Sequence, residues 1–331
     1  MTSISVSRDV ALQAAVGQAV LAPSVHNTQP WRFLLRRAAL DITADRSRQL
    51  AVLDPTGRQL HLSLGCALLN ARVSLAASGC PHSVVRLPDP EDADVIARVE
   101  LDTGYAVDPA LAALDRFITR RQTNRRRFAT DPVPEELVDR LVRVAGIEGA
   151  HLHPVVDPDD RQELARLSQR ADVQQLTDAA YRAELRVWTG DDPRRLDGVR
   201  AAVVPHVDGS AGDEVPIRDF DTHGVGRLPA ETHSSAHQCL LILGTELDNP
   251  QAWVRAGEAL ERVWLEITKA GFVASVFTQV VEIAVLRAQL RADLRLQVNP
   301  HIVLRVGRAP LTAASNRRHL ADVVVDQRQP G

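Results

Sequence analysis

Apolar residues recur every three or four positions between residues 9 and 21, where Leu12, Ala15, Val16, Ala19 and Val20 form one stripe and Pro23 supplies the stop. The period then changes. Trp31, Phe33 and Leu35 alternate with Arg32, Leu34 and Arg36, and Leu40, Ile42 and Ala44 alternate with Asp41, Thr43 and Asp45, which predicts two paired, half-buried strands. The run RQLHLSLGCALLNARVSLAASG (58–79) is apolar around its whole circumference, so it predicts a helix inside a core, ended by Gly79 and Pro81. VIARVELD (95–102) predicts a further strand. Pro109 behind Asp108 opens the helix PALAALDRFITRR with a side-chain cap and proline in its first turn.

A comparable set of elements follows: a helix over 134–145, a strand from HLHPVVD, and one long helix from about 160 to 188. Residues 205–235 follow neither period and carry Gly, Pro, Asp and His, the composition of a lid or another irregular excursion. QCLLILGTE predicts a buried strand. Trp253, Ala256, Gly257, Leu260, Val263, Trp264, Ile267 and Gly271 hold three-four spacing, which predicts a second core helix. GFVASVFTQ (271–279) reads as a small-residue turn with Gly271 as a left-handed helix end, or as backbone that a planar ligand can approach closely. VNPHIVLRVGRAP adds a last strand. The order shows no regular βαβ alternation, so the expectation is an α+β protein of two lobes, residues 1–115 and 116–331.

Composition narrows the partners. The chain has 331 residues, 45% hydrophobic and 24% charged, as in soluble globular proteins with two domains or one two-lobed unit. A net charge of -3 provides no field to draw nucleic acid or an anionic membrane, so an anion has to be held by a local cluster. Cys66, Cys80 and Cys239 are too few and too scattered for a disulfide framework or a zinc knuckle, and they fit a reducing cytoplasm. Asp9, Gln13 and Gln18 interrupt the N-terminal segment, which excludes a signal-peptide core, and no apolar run is expected to reach membrane-spanning length.

Three stretches stand out chemically. APSVHNTQPWRF (22–33) sets Ser24, His26, Asn27, Thr28 and Gln29 side by side between a helix and a strand. RRQTNRRRF (120–128) places five arginines around Thr123 and Asn124; this suits a solvated helix end, and equally a phosphate with a polyol beside it. ASNRRHL (314–320) offers Arg317 and Arg318 behind Ser315 and Asn316. His233 and His237 have i, i+4 spacing but no glutamate between them, so no metal site is expected. There is no phosphate-loop motif and no G-x-G-x-x-G, and Ser24 lacks the elbow glycines of a hydrolase nucleophile.

Together, APSVHNTQPWRF, RRQTNRRRF, YRAELRVW (181–188), GFVASVFTQ and NRRHLADVV (316–324) resemble the nitroreductase family, specifically its Acg-type subgroup. There one chain resembles two fused nitroreductase subunits, each lobe with a mainly antiparallel sheet and long core helices, and FMN lies between the halves. The resemblance implies a monomer whose site is complete within one chain. The first half would hand Pro23, Ser24, His26, Asn27 and Gln29 to a flavin held by the second. Arg121 would sit on the phosphate, Thr123 and Asn124 near phosphate or ribityl oxygens, and Arg125 at the N1 and O2 edge of the ring. Arg317 and Arg318 would close over the phosphate. The backbone of Val276 and Phe277 would face N5, with Ser275, Thr278 and Gln279 alongside; no contact is assigned to 208–228. Val276 and Arg127 stand where this subgroup often has proline. The implied activity is hydride transfer from NAD(P)H through FMN to a nitroaromatic, a quinone or a similar flat acceptor, with Arg125 stabilising charge in the reduced ring. The alternative is FMN storage under a closed lid, and an outlying third reading is a metal-dependent hydrolase built on His233 and His237.

Overall fold

The computed structural model describes residues 7–102, 104–206, 215–224, 226–228 and 238–328. Among the described residues, nine strands run in chain order: β1 (Trp31–Leu35), β2 (Ala39–Ala44), β3 (His82–Arg86), β4 (Val95–Leu101), β5 (His151–Pro154), β6 (Cys239–Thr245), β7 (Val273–Phe277), β8 (Asn299–Gly307) and β9 (Val324–Asp326). The helices of the first part are α1 (Arg8–Ala19), α2 (Arg58–Ala77), the single turns α3 (Pro109–Ala112) and α4 (Asp115–Ile118), and α5 (Glu135–Ile147). Those of the rest are α6 (Pro158–Thr177), α7 (Ala179–Val187), α8 (Pro250–Lys269), α9 (Gln279–Glu282), α10 (Ala284–Asp293) and α11 (Leu320–Val323).

Two sheets result, ordered β3-β4-β2-β1-β9 and β5-β6-β8-β7, antiparallel throughout except where β9 runs parallel to β1. The expected hairpin is present, with Trp31 opposite Ala44 and Phe33 opposite Ile42. The second sheet is buried on both faces, which explains its unbroken apolar runs. Leu241 and Leu243 point into the core around α8, while Leu240 and Ile242 point into a separate core with Leu164 and Leu167 of α6 and Leu286 and Leu290 of α10. The architecture is α+β. Its C-terminal strand crosses the division expected near residue 115, because β9 completes the first sheet and one core holds residues from both halves.

Helices α2 and α8 form the centre. A Cβ on Gly257 would lie 2.1 Å from the Leu62 carbonyl oxygen, so the two backbones touch where they cross. Charged residues of α8 are buried with partners. Glu258 accepts from Arg72 at 2.6 Å and from Arg86 at 2.6 and 2.9 Å, and Arg262 donates to Glu148 at 2.6 Å. Contrary to expectation, one described helix, α2, does have the length and hydropathy of a membrane span, but most of it is buried, packed against α1 and α8.

Other departures have local causes. The long helix expected over 160–188 breaks at Asp178, whose carboxylate accepts from the amides of Ala180 and Tyr181 at 2.8 and 3.1 Å and so starts α7 afresh. The helix expected from Pro109 is two separate turns, α3 and α4. In GFVASVFTQ Gly271, at φ 79°, makes a turn, Val273–Phe277 extend as β7 along β8, and Gln279 already opens α9. Strands β3 and β9, both at sheet edges, are additions to the expected set.

Candidate functional site

The connection after α1 is held in an unusual backbone shape. His26, Asn27 and Gln29 adopt φ of 49°, 54° and 51°, the left-handed region that side chains with a Cβ enter at a cost. Three clasps fix it. Ser24 Oγ accepts from Gln29 N at 2.9 Å, Gln29 Nε2 donates to Leu196 O at 2.7 Å, and Asn27 Nδ2 donates to Gly198 O at 3.1 Å. Such a shape persists only when the surroundings over-determine it, and it aims Ser24 and His26 into a cavity.

That cavity has two joined parts, which share Pro23, Ser24, Thr123 and Arg125 in their linings. The polar part adds Asn27, Arg121, Arg200, Ser315 and Arg317. Leu21 O accepts from Arg121 Nη2 at 2.9 Å and from Arg317 Nη2 at 3.0 Å, which holds the two guanidiniums together. Arg121 also lies 5.0 Å from the Trp264 ring and 3.0 Å from Glu261. Burial, with Arg121 alongside, pushes Arg317 down to about 9. Arg125 has no carboxylate partner among the described residues, and burial, followed by the field of Arg218, pushes it down to about 10. Of the four guanidiniums lining the polar part, Arg121, Arg125, Arg200 and Arg317, only Arg121 has a carboxylate partner among the described residues. Buried unpaired charge is costly, and an anionic group of about -1.5 to -2, as on a phosphate monoester, would remove that cost.

The other part is flat-sided and mostly apolar. Leu62 and Cys66 of α2, Leu260 and Trp264 of α8, Val276 of β7 and Ile302 of β8 make its walls. Two buried polar atoms there lack hydrogen-bond partners, Gln59 Nε2 and His26 Nδ1. Burial and the nearby Arg218 keep His26 well below its ordinary value, so the ring is neutral at physiological pH. Orphaned polar groups between apolar walls fit the edge of a flat heteroaromatic ring.

The stretch read as a lid contributes directly, against the expectation that 208–228 touches nothing in the site. Arg218 Nη2 donates to Thr278 Oγ1 at 2.8 Å and to both Glu282 oxygens at 2.6 and 2.7 Å, and Nη1 binds Tyr181 Oη and lies 3.2 Å from His26 Nε2. Phe220 stands edge-on to His26 at 5.4 Å and lies 4.6 Å beneath Arg125. Sequence alone missed both, and also Gln59, which sits in a run that reads only as core.

Ten of the sixteen site residues expected from sequence line the cavity: Pro23, Ser24, His26, Asn27, Arg121, Thr123, Arg125, Val276, Thr278 and Arg317. The other six do not. Gln29 Oε1 accepts from Arg318 N, and Arg318 turns to Gln29 O at 3.3 Å and Asp45 at 3.8 Å. Asn124 pins its segment to β7 and the tail, its N donating to Ala274 O at 2.9 Å and Nδ2 to Pro310 O at 2.8 Å. Ser275 and Phe277 are buried within the second sheet, and Gln279 Nε2 holds Pro216 O at 3.2 Å. His233 and His237 lie outside the described residues, and no group of three or more His, Cys, Asp or Glu among the described residues is arranged to hold a metal ion.

No family model matches the chain. The Mycobacterium tuberculosis H37Rv protein named "Putative NAD(P)H nitroreductase Rv3131" is 36% identical over 315 residues, 92% of this chain and 88% of that protein. "Putative NAD(P)H nitroreductase acg" of the same strain is 31% identical over 315 residues, covering 94% and 92%. Among solved structures, the FMN-dependent nitroreductase NfnB from Mycobacterium smegmatis in complex with NADPH aligns with a TM-score of 0.40 at 17% identity, over 67% of this chain and 100% of that one. Identity of this extent along nearly the whole chain places it in the nitroreductase family, within the Acg-type group.

Proposed function

We propose that the chain is an FMN-dependent oxidoreductase that accepts hydride from NAD(P)H and delivers it to a flat acceptor such as a nitroaromatic or a quinone. The observation that carries this reading is Arg125, a half-buried guanidinium without a carboxylate partner among the described residues, at the junction of an arginine-rich chamber and an apolar one. Arg121, Arg317 and Thr123 would hold the phosphate, and Leu62, Leu260, Trp264 and Val276 the ring faces. Bound FMN supplies a site that takes up and gives back hydride, so no acid-base dyad is needed from the protein. Arg125 would stabilise negative charge at the N1 and O2 edge, and His26 and Gln59 would direct polar edges of the ring or the acceptor. The loop after α1 and the arginine cluster it meets belong to one polypeptide, so one FMN per chain is expected without a partner subunit.

A yellow protein with a flavin spectrum that NADH or NADPH bleaches would support the proposal, and failure to bind FMN would overturn it. A second reading, FMN sequestration, has its own observation in Arg218 and Phe220, which wall the apolar chamber from outside.

A further inference from the structure

Glu261 is a buried titratable group beside the cavity that the FMN reading leaves without a role. It lies on α8 behind the polar chamber, fully buried, with Oε1 3.0 Å from Arg121 Nε, and neither of its oxygens has an aligned hydrogen-bond donor. Facing it are Arg121 from the segment after α4, Arg317 from the tail, and Asn70 and Cys66 from α2. Arg121 is therefore shared: one edge meets Glu261, and another is tied beside Arg317 through Leu21 O.

Sharing puts two anions on one guanidinium: Glu261 lies 3.0 Å from Arg121, and a phosphate monoester would bring about -1.5 to -2 to the same side chain. A phosphate placed on Arg121 competes with Glu261 for it, and a like charge beside the buried carboxylate disfavours its ionised form. Protonating Glu261 removes that repulsion. Burial already pushes this carboxyl up to about 6, against the pull of Arg121, so the proton is within reach near neutral pH.

We propose that Glu261 is a positioning residue for the phosphate end of the cofactor, holding Arg121 before the phosphate arrives and releasing it to the phosphate by taking up one proton. This rests on the FMN reading above. The sign follows from linkage. A group whose pKa rises on binding strengthens binding at low pH, and that gain is lost as pH rises through the bound-state value. The second ionisation of the phosphate acts the other way but lies near 6. Arg317, pushed down to about 9, begins to lose its charge towards pH 8.5 and weakens binding in the same direction, so the share of Glu261 is the difference between wild type and Glu261→Gln.

The test is equilibrium binding of FMN and riboflavin to the full chain and to Glu261→Gln at pH 6.5 and 8.5. Wild-type affinity for FMN should weaken about tenfold across this range, with riboflavin unchanged. Glu261→Gln should bind FMN with a clearly shallower pH dependence, and more tightly than wild type at pH 8.5. A variant that keeps the wild-type slope, or binds FMN more weakly at both pH values, would show that Glu261 only braces Arg121. Calorimetry of wild type in two buffers of different ionisation enthalpy needs no variant: uptake approaching one proton per FMN near pH 7.5 is expected, and none overturns the inference. If wild type binds no FMN, the cofactor reading itself fails; FMN binding without proton uptake removes the role of Glu261 alone.

Discussion

Gly65 and Gly257 bring α2 and α8 into backbone contact: a Cβ on Gly65 would lie 2.9 Å from the Cα of Gly257 and 2.1 Å from the Val254 carbonyl oxygen. Backbone cannot give way as a flexible side chain can, so Gly65→Ala must push the helices apart. The expected loss is about 3 kcal/mol or more, at the upper end for overpacking. Leu62 and Leu260 stand beside the crossing as cavity walls, so cofactor affinity should fall too. Gly17 in α1 is the control, since a Cβ there meets nothing within 4 Å. Gly17→Ala should stabilise by roughly 0.5–1 kcal/mol. Urea midpoints of the two variants, moving in opposite directions, check both.

Arg317 and Arg318 are neighbours in sequence but not in role. Arg317 lines the polar chamber, whereas Arg318 lies on Gln29 and Asp45. A charge-assisted hydrogen bond contributes about 1.5–3 kcal/mol, so Arg317→Ala should weaken FMN binding roughly ten- to a hundredfold. Riboflavin binding should suffer much less, apart from the loss of the Arg317 bonds to Leu21 O and Ala22 O. Arg318→Ala should leave the ratio of the two flavin affinities unchanged. Titrations of both flavins into both variants would show whether the two arginines separate in this way.

These two cases mark what could be read from the sequence. Alternation around Trp31 and Leu40 gives the hairpin, the spacing from Trp253 to Ile267 gives α8, and clustered arginines give the anion end, because each signal is local. Which of two adjacent side chains meets a ligand is decided by backbone geometry, and it stays hidden. Asn27 lines the cavity and Gln29 does not: right-handed Thr28, at φ -66°, stands between them, and the Gln29 amide is spent on Leu196 O and Arg318 N. Helical periodicity runs on through Asp178, so the break before α7 shows only in the cap it forms. Arg218 and Phe220 lie in a stretch without periodicity, where only tertiary contacts assign a place. The buried glutamates of α8 are legible only once Arg72, Arg86 and Arg121 are seen beside them.

His301 predicts how stability varies with pH. Its Nε2 lies 2.7 Å from Thr245 Oγ1, whose hydroxyl donates to Leu247 O, and Arg287 Nη2 approaches its Nδ1 at 3.1 Å. Nε2 is therefore the donor and Nδ1 the acceptor, which leaves no place for a second proton. Burial, then Arg287 and Arg58, push its pKa down to about 3. Between that value and about 6.5 the unfolded chain binds more protons at this residue, so its contribution falls as pH drops through this window. Asp54, pushed up to about 6 by burial, works in the opposite direction as pH falls from 6 towards 3.8. Comparison of His301→Gln with wild type cancels Asp54. The variant should be less stable at pH 7.5 but should lose clearly less between pH 7.5 and 5, measured by urea unfolding at each pH.

Phe220 separates turnover from sequestration better than removal of the whole stretch around it. Deleting 208–228 would also remove Arg218, leaving Glu282 buried without its partner, and breaking such a pair costs about 3–5 kcal/mol. Phe220→Ala leaves Arg218 with Glu282, Thr278 and Tyr181, and opens the chamber only where the ring meets His26 and Arg125. Lost cation–π contact with Arg125 should weaken FMN binding by about 1 kcal/mol. For a working reductase, bleaching of bound flavin by NAD(P)H should stay near the wild-type rate or fall, because Phe220 helps to shape the acceptor side. For a sequestering protein, the ring is what bars the nicotinamide, and its removal should speed bleaching by an order of magnitude or more, since access rather than chemistry limits the rate. Stopped-flow reduction of the two proteins at matched flavin occupancy distinguishes these outcomes, and the expected result is the first.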